Sequence, residues 1–309
     1  MSLERVLDHI CDERTPLSHS RLYMLSELRP DEMELFASRW ATISAMRRRH
    51  VTAALVEIAE VNFTVDFSGI FRLGLDDDDA EVRTNSIDGL WEDETPALVD
   101  SLLRMLSSDP SITVRAAAAT SLGRFVLLSE LKELDEELGK RIVRALWEVL
   151  EDPREALGVR RRVVEALSFS GEERVRGIIE EAYGHQSEKM RVSAIFSMGR
   201  SADPSWGSTV IRELTSPNPE MRYEAARACG ELELRQAVAG LIDLILDPDR
   251  EVQQAAISAL GKIGGREARR ALQACCESDD EVIATAGDEA LGELEFTSGI
   301  FEFPVYEEE

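Results

Sequence analysis

The chain has 309 residues and carries 60 acidic against 35 basic side chains, a formal net charge of −25. This length is enough for two ordinary domains or one long repeat array. The negative charge argues against nucleic acid and anionic membrane surfaces as partners, since both require clustered Lys and Arg, and it favours basic partners instead.

Cysteine usage and hydropathy bound the cellular setting. Four cysteines in a chain of this length do not predict a disulfide framework. Residues 1–11 mix acids into their apolar pattern, so they do not read as a signal peptide. No apolar run approaches the roughly 18 residues that a membrane-spanning helix needs. We expect a reduced, cytoplasmic protein.

The first 29 residues do not follow the pattern of the rest and predict an N-terminal helical cap over the open end of a repeat array. Two short helices are expected there, over Leu3–Cys11 and Leu17–Leu28. His9, Cys11 and His19 are close in sequence, but they lack a fourth ligand and the spacing of a zinc site. We therefore expect packing residues and no metal.

Two irregular helix pairs come next, Asp31–Ile43 with Arg47–Glu60 and Val65–Leu75 with Asp79–Leu90. The basic run at 47–50 starts a helix, where the helix dipole does not favour positive charge. We expect it to pair with nearby acids, with partner binding as the alternative. The four Asp residues at 76–79 lack the alternating spacing of a calcium loop, so they are expected to cap the next helix.

A pattern with a period near 31 residues runs through the remainder of the chain. Its anchors, each the first apolar residue of a second helix, are Val82, Val114, Val159, Met190, Met221, Val252 and Ile283. Positions four and eight after each anchor are apolar or small, which is helical spacing. Three residues before the anchor stands a short polar residue, expected to cap the helix, with Ala156 as the exception. A period of this size indicates a solenoid of helix pairs.

Position nine after the anchor is Gly in five copies: Gly123, Gly199, Gly230, Gly261 and Gly292. A glycine there can adopt the left-handed conformation that ends a helix. We expect each of these helices to stop at its glycine. Trp91 and Ser168 replace it in two copies, whose helices are expected to end differently.

The residues Ser111–Gly123 and Asp249–Gly261, with their D-x-x-V-R-x-x-A-x-x-x-L-G logic, resemble HEAT repeats, and the period of 31 resembles the short-period, phycobilisome-lyase-like HEAT group. The resemblance covers roughly residues 30–295. It implies an all-α, right-handed α-solenoid of about eight antiparallel helix pairs. For function it implies a binding scaffold in most members and lyase or DNA glycosylase activity in a few.

Two segments depart from the regular array. The step from Val114 to Val159 is 45 residues, and the excess lies at about 124–139, which predicts a longer helix or an extra one. This insertion has a functional interpretation, because insertions in repeat arrays often lie on the binding face, and a structural one as a bend. The acidic, aromatic tail at 296–309 is either disordered, folded back, or a peptide ligand.

Arginine follows the anchor in five copies: Arg83, Arg115, Arg160, Arg191 and Arg222. This position falls within the buried arc of the helix. A buried charge must be paired, so we predict a structural ladder that joins neighbouring repeats through acids or helix-end carbonyls. Gln253 replaces the arginine in one copy.

Positions two, three and six lie on the opposite arc, which lines the concave groove in HEAT-like arrays. The candidate partner-binding residues there are Arg161, Arg162, Val192, Phe196, Tyr223 and Arg227. Glu165, Gln254 and Ser258 share the arc. Exposed aromatic and arginine side chains are typical of binding hot spots, although Phe196 could instead tuck between repeats.

No phosphate-binding loop, nucleophile elbow, HExxH motif or catalytic triad is found, so the sequence predicts neither catalysis nor a cofactor. The leading hypothesis is a non-catalytic scaffold that binds a protein or peptide along the groove. The alternative is a phycobilin-lyase-like protein that handles a chromophore. The sequence leaves the oligomeric state and the identity of the partner open.

Overall fold

The computed structural model describes residues 2–300, apart from the side chains of residues 297, 298 and 300. This part of the chain is all-helical and contains 18 α-helices and three short 3₁₀ turns. Two compact units form, the first ending at Leu167 and the second beginning at Ser168. The helices of the first unit are α1 Leu3–Cys11, α2 His19–Leu22, α3 Pro30–Trp40, α4 Ala45–Val61, α5 Ser68–Gly74, α6 Ala80–Gly89, α7 Pro96–Ser108, α8 Ile112–Glu130, α9 Glu136–Glu151 and α10 Leu157–Leu167. Those of the second are α11 Arg174–Tyr183, α12 Glu188–Arg200, α13 Gly207–Glu213, α14 Pro219–Glu231, α15 Val238–Leu244, α16 Arg250–Ile263, α17 Arg266–Cys276 and α18 Glu281–Ile300.

Helices α3 to α18 form eight consecutive pairs, as the repeat pattern predicts. The second helices pack side by side within each unit: α4, α6, α8 and α10 in the first, and α12, α14, α16 and α18 in the second. The anchor positions Val114, Met190, Met221 and Val252 are at most 4% exposed. Burial of this apolar arc drives each second helix against its neighbours, at roughly 25 cal/mol per Å² of apolar surface removed from water.

The insertion adds length to existing helices. Its residues continue α8 to Glu130, form the connection after it, and begin α9 at Glu136. No extra helix lies between them. Of the tail at 296–309, residues 296–300 continue α18, and the rest lies outside the described residues.

The N-terminal segment packs on the first pair, because α1 contacts α3 and α2 contacts α4. The second expected helix is shorter than Leu17–Leu28, and it ends in a 3₁₀ turn at Tyr23–Leu25. The side chain of Arg47, 6% exposed, joins this segment to α4. It donates to the backbone carbonyls of His9 at 3.0 Å and Ile10 at 3.0 Å, both in the last turn of α1. Part of the basic run therefore donates to helix-end carbonyls rather than to acids. The helix dipole favours a cation at this end of a helix.

Replacing Arg47 by Met should release the N-terminal segment, because the carbonyls of Ile10 and Thr15 lose a buried donor at 3.0 and 2.9 Å. We expect chymotrypsin to cleave near Tyr23 several times faster while the remaining helices stay protected. Limited proteolysis followed by mass spectrometry measures this. Arg14→Met is the matched control, since that side chain is 91% exposed and pairs with Asp12 at the surface; an equal rate in the two variants would contradict the role of Arg47.

The polar residues before the anchors occupy N-cap positions, although not all of them accept a hydrogen bond. Asp79, Asn218, Asp249 and Asp280 each accept a backbone N–H in the first turn of their helices. Ser111 and Ser187 stand at the same position without a side-chain capping bond.

Asp79 also accepts a hydrogen bond from Arg49 on α4, with 2.8 Å between Nε of Arg49 and Oδ1 of Asp79. This contact, with smaller contributions from the N–H groups that Asp79 caps, lowers the pKa of Asp79 to about 2. A carboxyl whose pKa is lower in the folded chain contributes stability above its unfolded pKa of about 4, and this stability is lost as the pH falls towards 2.

Urea unfolding between pH 5 and pH 2.5 tests this linkage. The Asp79→Asn variant keeps a capping side chain but not the charge, so it should lose less stability on acidification than the wild type. Asp249→Asn is the control, since Asp249 caps through the same two N–H positions but has no bidentate arginine among residues 2–300. A larger loss of stability on acidification in Asp79→Asn than in the wild type would exclude the linkage.

The structure corrects the expectation that the glycines at position nine end their helices. Gly199, Gly230 and Gly261 all lie inside helices that continue past them. None has a positive φ; the left-handed residues come three positions later, at Ala202 and Gly264 among others. A Cβ on Gly199 would lie 2.9 Å from the Cα of Ala228 on the next second helix. These glycines permit close approach of neighbouring helices.

The same contact recurs at a fixed register. A Cβ on Gly230 would lie 3.0 Å from the Cα of Ala259, and one on Gly261 would lie 2.8 Å from the carbonyl oxygen of Ala290. Position nine of one second helix therefore faces position seven of the next. Helices α6 and α10, which have Trp91 and Ser168 at position nine, end before reaching it.

Three of the five arginines after the anchors contact an acid in the following repeat. Arg83 donates from Nε and Nη2 to Asp109 at 2.9 and 2.8 Å, and Arg222 likewise to Asp247 at 2.7 and 2.8 Å. Arg115 contacts Glu155 at 3.0 and 2.8 Å. Each also donates from Nη1 to a carbonyl of the turn before its own helix. Guanidinium groups thus tie one inter-helix turn to the next.

The other two arginines differ. Arg191 donates from Nη1 to the carbonyls of His185 and Gln186 in its own repeat, at 3.3 Å each. Arg160 is half-buried, and its Nε has no hydrogen-bond partner in the part of the chain that the structure describes. The ladder role of Arg160 stays a prediction.

The sequence analysis missed the acids that receive these arginines. Asp77, Asp109 and Asp247 each stand two residues before an N-cap and accept its backbone N–H, at 3.0, 2.8 and 2.9 Å. Asp77 also accepts a hydrogen bond from Arg48, with 2.9 Å between Nη2 of Arg48 and Oδ1 of Asp77. Arg48 is therefore the member of the ladder in the first helix pair. The sequence does contain a signal for these acids, because each of the three stands two residues before an N-cap residue.

Candidate functional site

A surface groove in the second unit is lined by two of the six predicted partner-binding residues, Tyr223 and Arg227. It runs across α12, α14 and α16 and has a volume of about 850 Å³. We call it the α12–α16 groove. Its lining consists of Arg200, Tyr223, Arg227, Glu231, Glu251, Gln254, Ala255, Ser258, Ala259 and Lys262.

Arginines stack against aromatic rings along one side of this groove. The guanidinium carbon of Arg227 lies 5.8 Å from the ring centre of Phe196 and 5.8 Å from that of Tyr223. The guanidinium of Arg200 lies 5.4 Å from the ring centre of Phe196 and 5.9 Å from that of Phe169. These distances are within the range of cation–π attraction. Phe196 therefore contacts two guanidinium groups, and the structure brings it together with Tyr223 and Arg227.

A charged row at position ten completes the lining. Glu231 accepts from Lys262 at 3.1 Å and lies 3.3 Å from Arg200. The sequence analysis did not identify this row, because it expected the helices to stop at position nine. The signal that could have found it is the repetition of charged residues ten positions after three successive anchors.

Val192 does not belong to this surface. Its side chain is 8% exposed, which corrects the expectation of an exposed groove residue. Position two of α12 faces the interior of the second unit, so Val192 contributes packing. Phe196, one turn later, is half-buried and keeps part of its ring accessible.

Arg161 and Arg162 lie on α10 in the first unit, where both pair with Glu165. Arg162 donates from Nη1 to Glu165 at 2.6 Å, and Nη2 of Arg161 lies 4.0 Å from the same carboxylate. Glu165 itself is 7% exposed. These contacts hold the two arginines along their own helix, and Arg162 keeps 43% of its side chain exposed.

The groove has the chemistry of recognition. Its Arg and Lys side chains supply hydrogen-bond donors only, and the acid Glu231 is shared between two cations. The lining residues include neither His nor Cys. Stacking faces, ion-pairing groups and the amide of Gln254 can hold an extended segment of protein.

One helix meets the criteria of length and composition for a membrane span, which corrects the expectation that no segment approaches them. This helix is α8, Ile112–Glu130. Its residues Ala118, Leu122 and Phe125 are fully buried, and it packs against α6, α7, α9 and α10. A core helix of a packed protein has the same composition.

Comparison with known proteins shows the fold family. HEAT repeats match residues 71–136, 175–245 and 207–292, which together span more than half of the chain. The complex of CpcE and CpcF of phycocyanin lyase from Nostoc sp. PCC7120 has a similar structure, with 15% identity, a TM-score of 0.55, and coverage of 92% of this chain and 97% of that one.

Two further structures are similar at lower scores. Human deoxyhypusine hydroxylase is 18% identical, with a TM-score of 0.37 and coverage of 95% of this chain and 96% of its own. YibA from E. coli is 16% identical, with a TM-score of 0.44 and coverage of 81% and 98%. No curated protein matches the sequence. At these identities the similarities concern the fold alone, and the repeat matches carry the assignment: the chain belongs to the HEAT-repeat family.

Proposed function

We propose that the chain is a non-catalytic interaction scaffold and that it binds a protein or peptide segment in the α12–α16 groove. The observation that carries this proposal is the stack of Arg200, Phe196, Arg227 and Tyr223 beside an 850 Å³ cavity. Aromatic and arginine side chains in a partly desolvated surface pocket are the residues that most often dominate binding energy. The stack is already formed, so less side-chain entropy is lost on binding.

Site-specific photo-crosslinking tests the proposal. A benzoylphenylalanine replaces Gln254, which is exposed in the groove, or Gln273, which is exposed on α17 outside it. After irradiation in native cell extract, we expect a discrete protein adduct at position 254 and not at position 273. Adding Tyr223→Ala and Arg227→Ala should remove the adduct while circular dichroism keeps its helical signal.

Either of two results would overturn the site. The same adduct at positions 254 and 273 would indicate non-specific capture. An adduct at 254 that survives removal of Tyr223 and Arg227 would leave the stack without a role in binding.

The chromophore-handling alternative has its own measurement. A bilin bound in the groove would change its absorbance spectrum on mixing with the chain. An unchanged spectrum counts against this alternative.

We also propose a cytoplasmic location, supported by the state of the thiols. All four cysteines are free. Burial raises the pKa of Cys229 to about 12, and burial with the nearby Asp288 raises that of Cys276 to about 11. Such thiols are poor nucleophiles, as expected of packing residues in a reduced protein. Fractionation of cells that express the chain tests this location.

A further inference from the structure

A second groove lies on the first unit, across α4, α6 and α8, and has a volume of about 570 Å³. We call it the α4–α8 groove. It is lined by Glu60, Phe63, Ile87, Asp88, Trp91, Ala117, Thr120, Ser121 and Arg124. It occupies the same arc of the second helices as the α12–α16 groove, but its chemistry is different.

Large aromatic side chains are exposed at this groove. Phe63 is 74% exposed and Trp91 is 47% exposed. The other three tryptophans, Trp40, Trp147 and Trp206, are each 6% exposed. Exposed aromatic groups beside a cavity mark interaction surfaces in otherwise well-packed proteins. Trp91 also replaces the glycine of the repeat pattern at this place.

Two carboxylates in the groove have no counter-ion in the part of the chain that the structure describes. Glu60 on α4 and Asp88 on α6 form neither an ion pair nor a hydrogen bond with any residue in 2–300. Partial burial raises the pKa of Asp88, and the charge of Glu60 raises it further. Both acids are exposed, and their like charges repel each other, which a cation between them would relieve.

Arg124 also lines the groove, but its hydrogen bonds go to backbone carbonyls and not to Glu60 or Asp88. Its Nη2 donates to the carbonyls of Asp93 at 2.8 Å and Leu90 at 3.4 Å, after the end of α6. Its guanidinium carbon lies 4.7 Å from the ring centre of Phe125. Arg124 is thus held by helix-end carbonyls and an aromatic ring and leaves the carboxylates of Glu60 and Asp88 available.

We propose that the α4–α8 groove binds an arginine side chain from a segment of a partner protein, with its guanidinium between Glu60 and Asp88 and its stem against Trp91 and Phe63. Aromatic faces attract cations, and the planar guanidinium can stack on Trp while it donates to two carboxylates. The net charge of −25 draws a basic segment towards the chain. This proposal is independent of the α12–α16 groove.

The indole N–H resonances of the four tryptophans provide the test, because Trp91 is the exposed one and the other three act as internal controls. The probe is acetyl-Ala-Ala-Arg-Ala-Ala-amide, titrated to 10 mM into the full-length ¹⁵N-labelled chain at pH 7. We expect a saturable shift at Trp91 and none at Trp40, Trp147 or Trp206. The same peptide with Gln in place of Arg should give no saturable shift, and the Lys peptide should bind several-fold more weakly.

Variants separate the site from general electrostatics. Glu60→Gln/Asp88→Asn should weaken binding at least tenfold, and Phe63→Ala should weaken it several-fold with Trp91 still present as reporter. Glu57→Gln/Glu92→Gln removes the same two charges from exposed acids outside the lining and should change binding less than twofold. Because Glu60 and Asp88 repel each other and form no ion pair or hydrogen bond within residues 2–300, the first variant should have a thermal midpoint no lower than that of the wild type.

Several results would overturn the proposal. They are no saturable shift at Trp91, an equal shift with the Gln peptide, equal affinity for the Lys peptide, or an unchanged affinity in Glu60→Gln/Asp88→Asn. An equal loss of binding in the control variant would also do so, since it would show long-range attraction without a site.

Discussion

Replacing Asp247 by Ser should lower the free energy of unfolding by about 3 kcal/mol, because it leaves a buried guanidinium without its carboxylate. Asp247 accepts two hydrogen bonds from Arg222, at 2.7 and 2.8 Å, and one from the backbone N–H of Asp249. The side chains of the pair are only 5% and 13% exposed. The guanidinium lowers the pKa of Asp247, so the charged pair is the folded form.

The next repeat contains a neutral version of the same arrangement. Gln253 stands at the arginine position and donates to the carbonyl of Asp247 at 2.7 Å. Ser278 stands at the acid position, and its hydroxyl accepts the N–H of Asp280 at 3.2 Å. In this repeat, neutral side chains therefore replace both the acid and the arginine.

This pairing makes the double variant informative. Arg222→Gln/Asp247→Ser copies the neutral pair, so it should cost about 1 kcal/mol, less than Asp247→Ser alone. Asp243→Ser, at an exposed acid one turn earlier, is the control and should change stability by less than about 0.5 kcal/mol. Urea unfolding followed by circular dichroism measures all three. A double variant no more stable than Asp247→Ser would show that the two side chains act separately.

Much of the fold could be predicted because helix pairs leave a strong period in the sequence. Apolar residues at positions zero, four and eight are the buried arc of each second helix, and α12, α14 and α16 contain their predicted anchors. The first pair was harder to align, because Arg47 occupies the anchor position. There a buried arginine bonds to carbonyls of the N-terminal segment, which no apolar period can reveal.

The candidate site could be predicted in part, and for a definable reason. Positions two and six placed Tyr223, Arg227, Gln254 and Ser258 on one surface, and the structure places all four in the groove lining. Position ten is missing from the predicted site, because the pattern predicts that each helix ends at the glycine of position nine. A single wrong helix end therefore removed a whole row of lining residues, Arg200 among them.

Sequence alone could not decide what these glycines do. A glycine near a helix end serves equally well for a left-handed cap or for close helix contact. Three positions after Gly199, Gly230 and Gly261, the residues with positive φ are Ala202 (52°), Glu233 (49°) and Gly264 (65°), of which one is a glycine. The glycine at position nine therefore predicts the wrong helix end. Only the distance to the neighbouring helix distinguishes a capping glycine from one that permits close helix contact.

The second large change in the free energy of unfolding is expected from Gly199→Ala, because position nine lies so close to the neighbouring helix. The new Cβ would lie 2.9 Å from both the Cα and the Cβ of Ala228, and a backbone atom cannot rotate away. Helices α12 and α14 must separate, and we expect a loss of about 2 kcal/mol after allowing for the better helix propensity of Ala. The control is Gly177→Ala in α11, where a Cβ meets nothing within 4 Å; this change should stabilise by about 0.5–1 kcal/mol.

The two variants make the same chemical change, so a difference in sign isolates the helix contact. Adding Ala228→Gly to Gly199→Ala should recover part of the loss, because it removes the clash with Cβ and leaves the one with Cα. Equal stabilisation by Gly199→Ala and Gly177→Ala would contradict the close approach. A loss at Gly199 with partial recovery would instead make the facing positions nine and seven the contact that sets the spacing of neighbouring second helices.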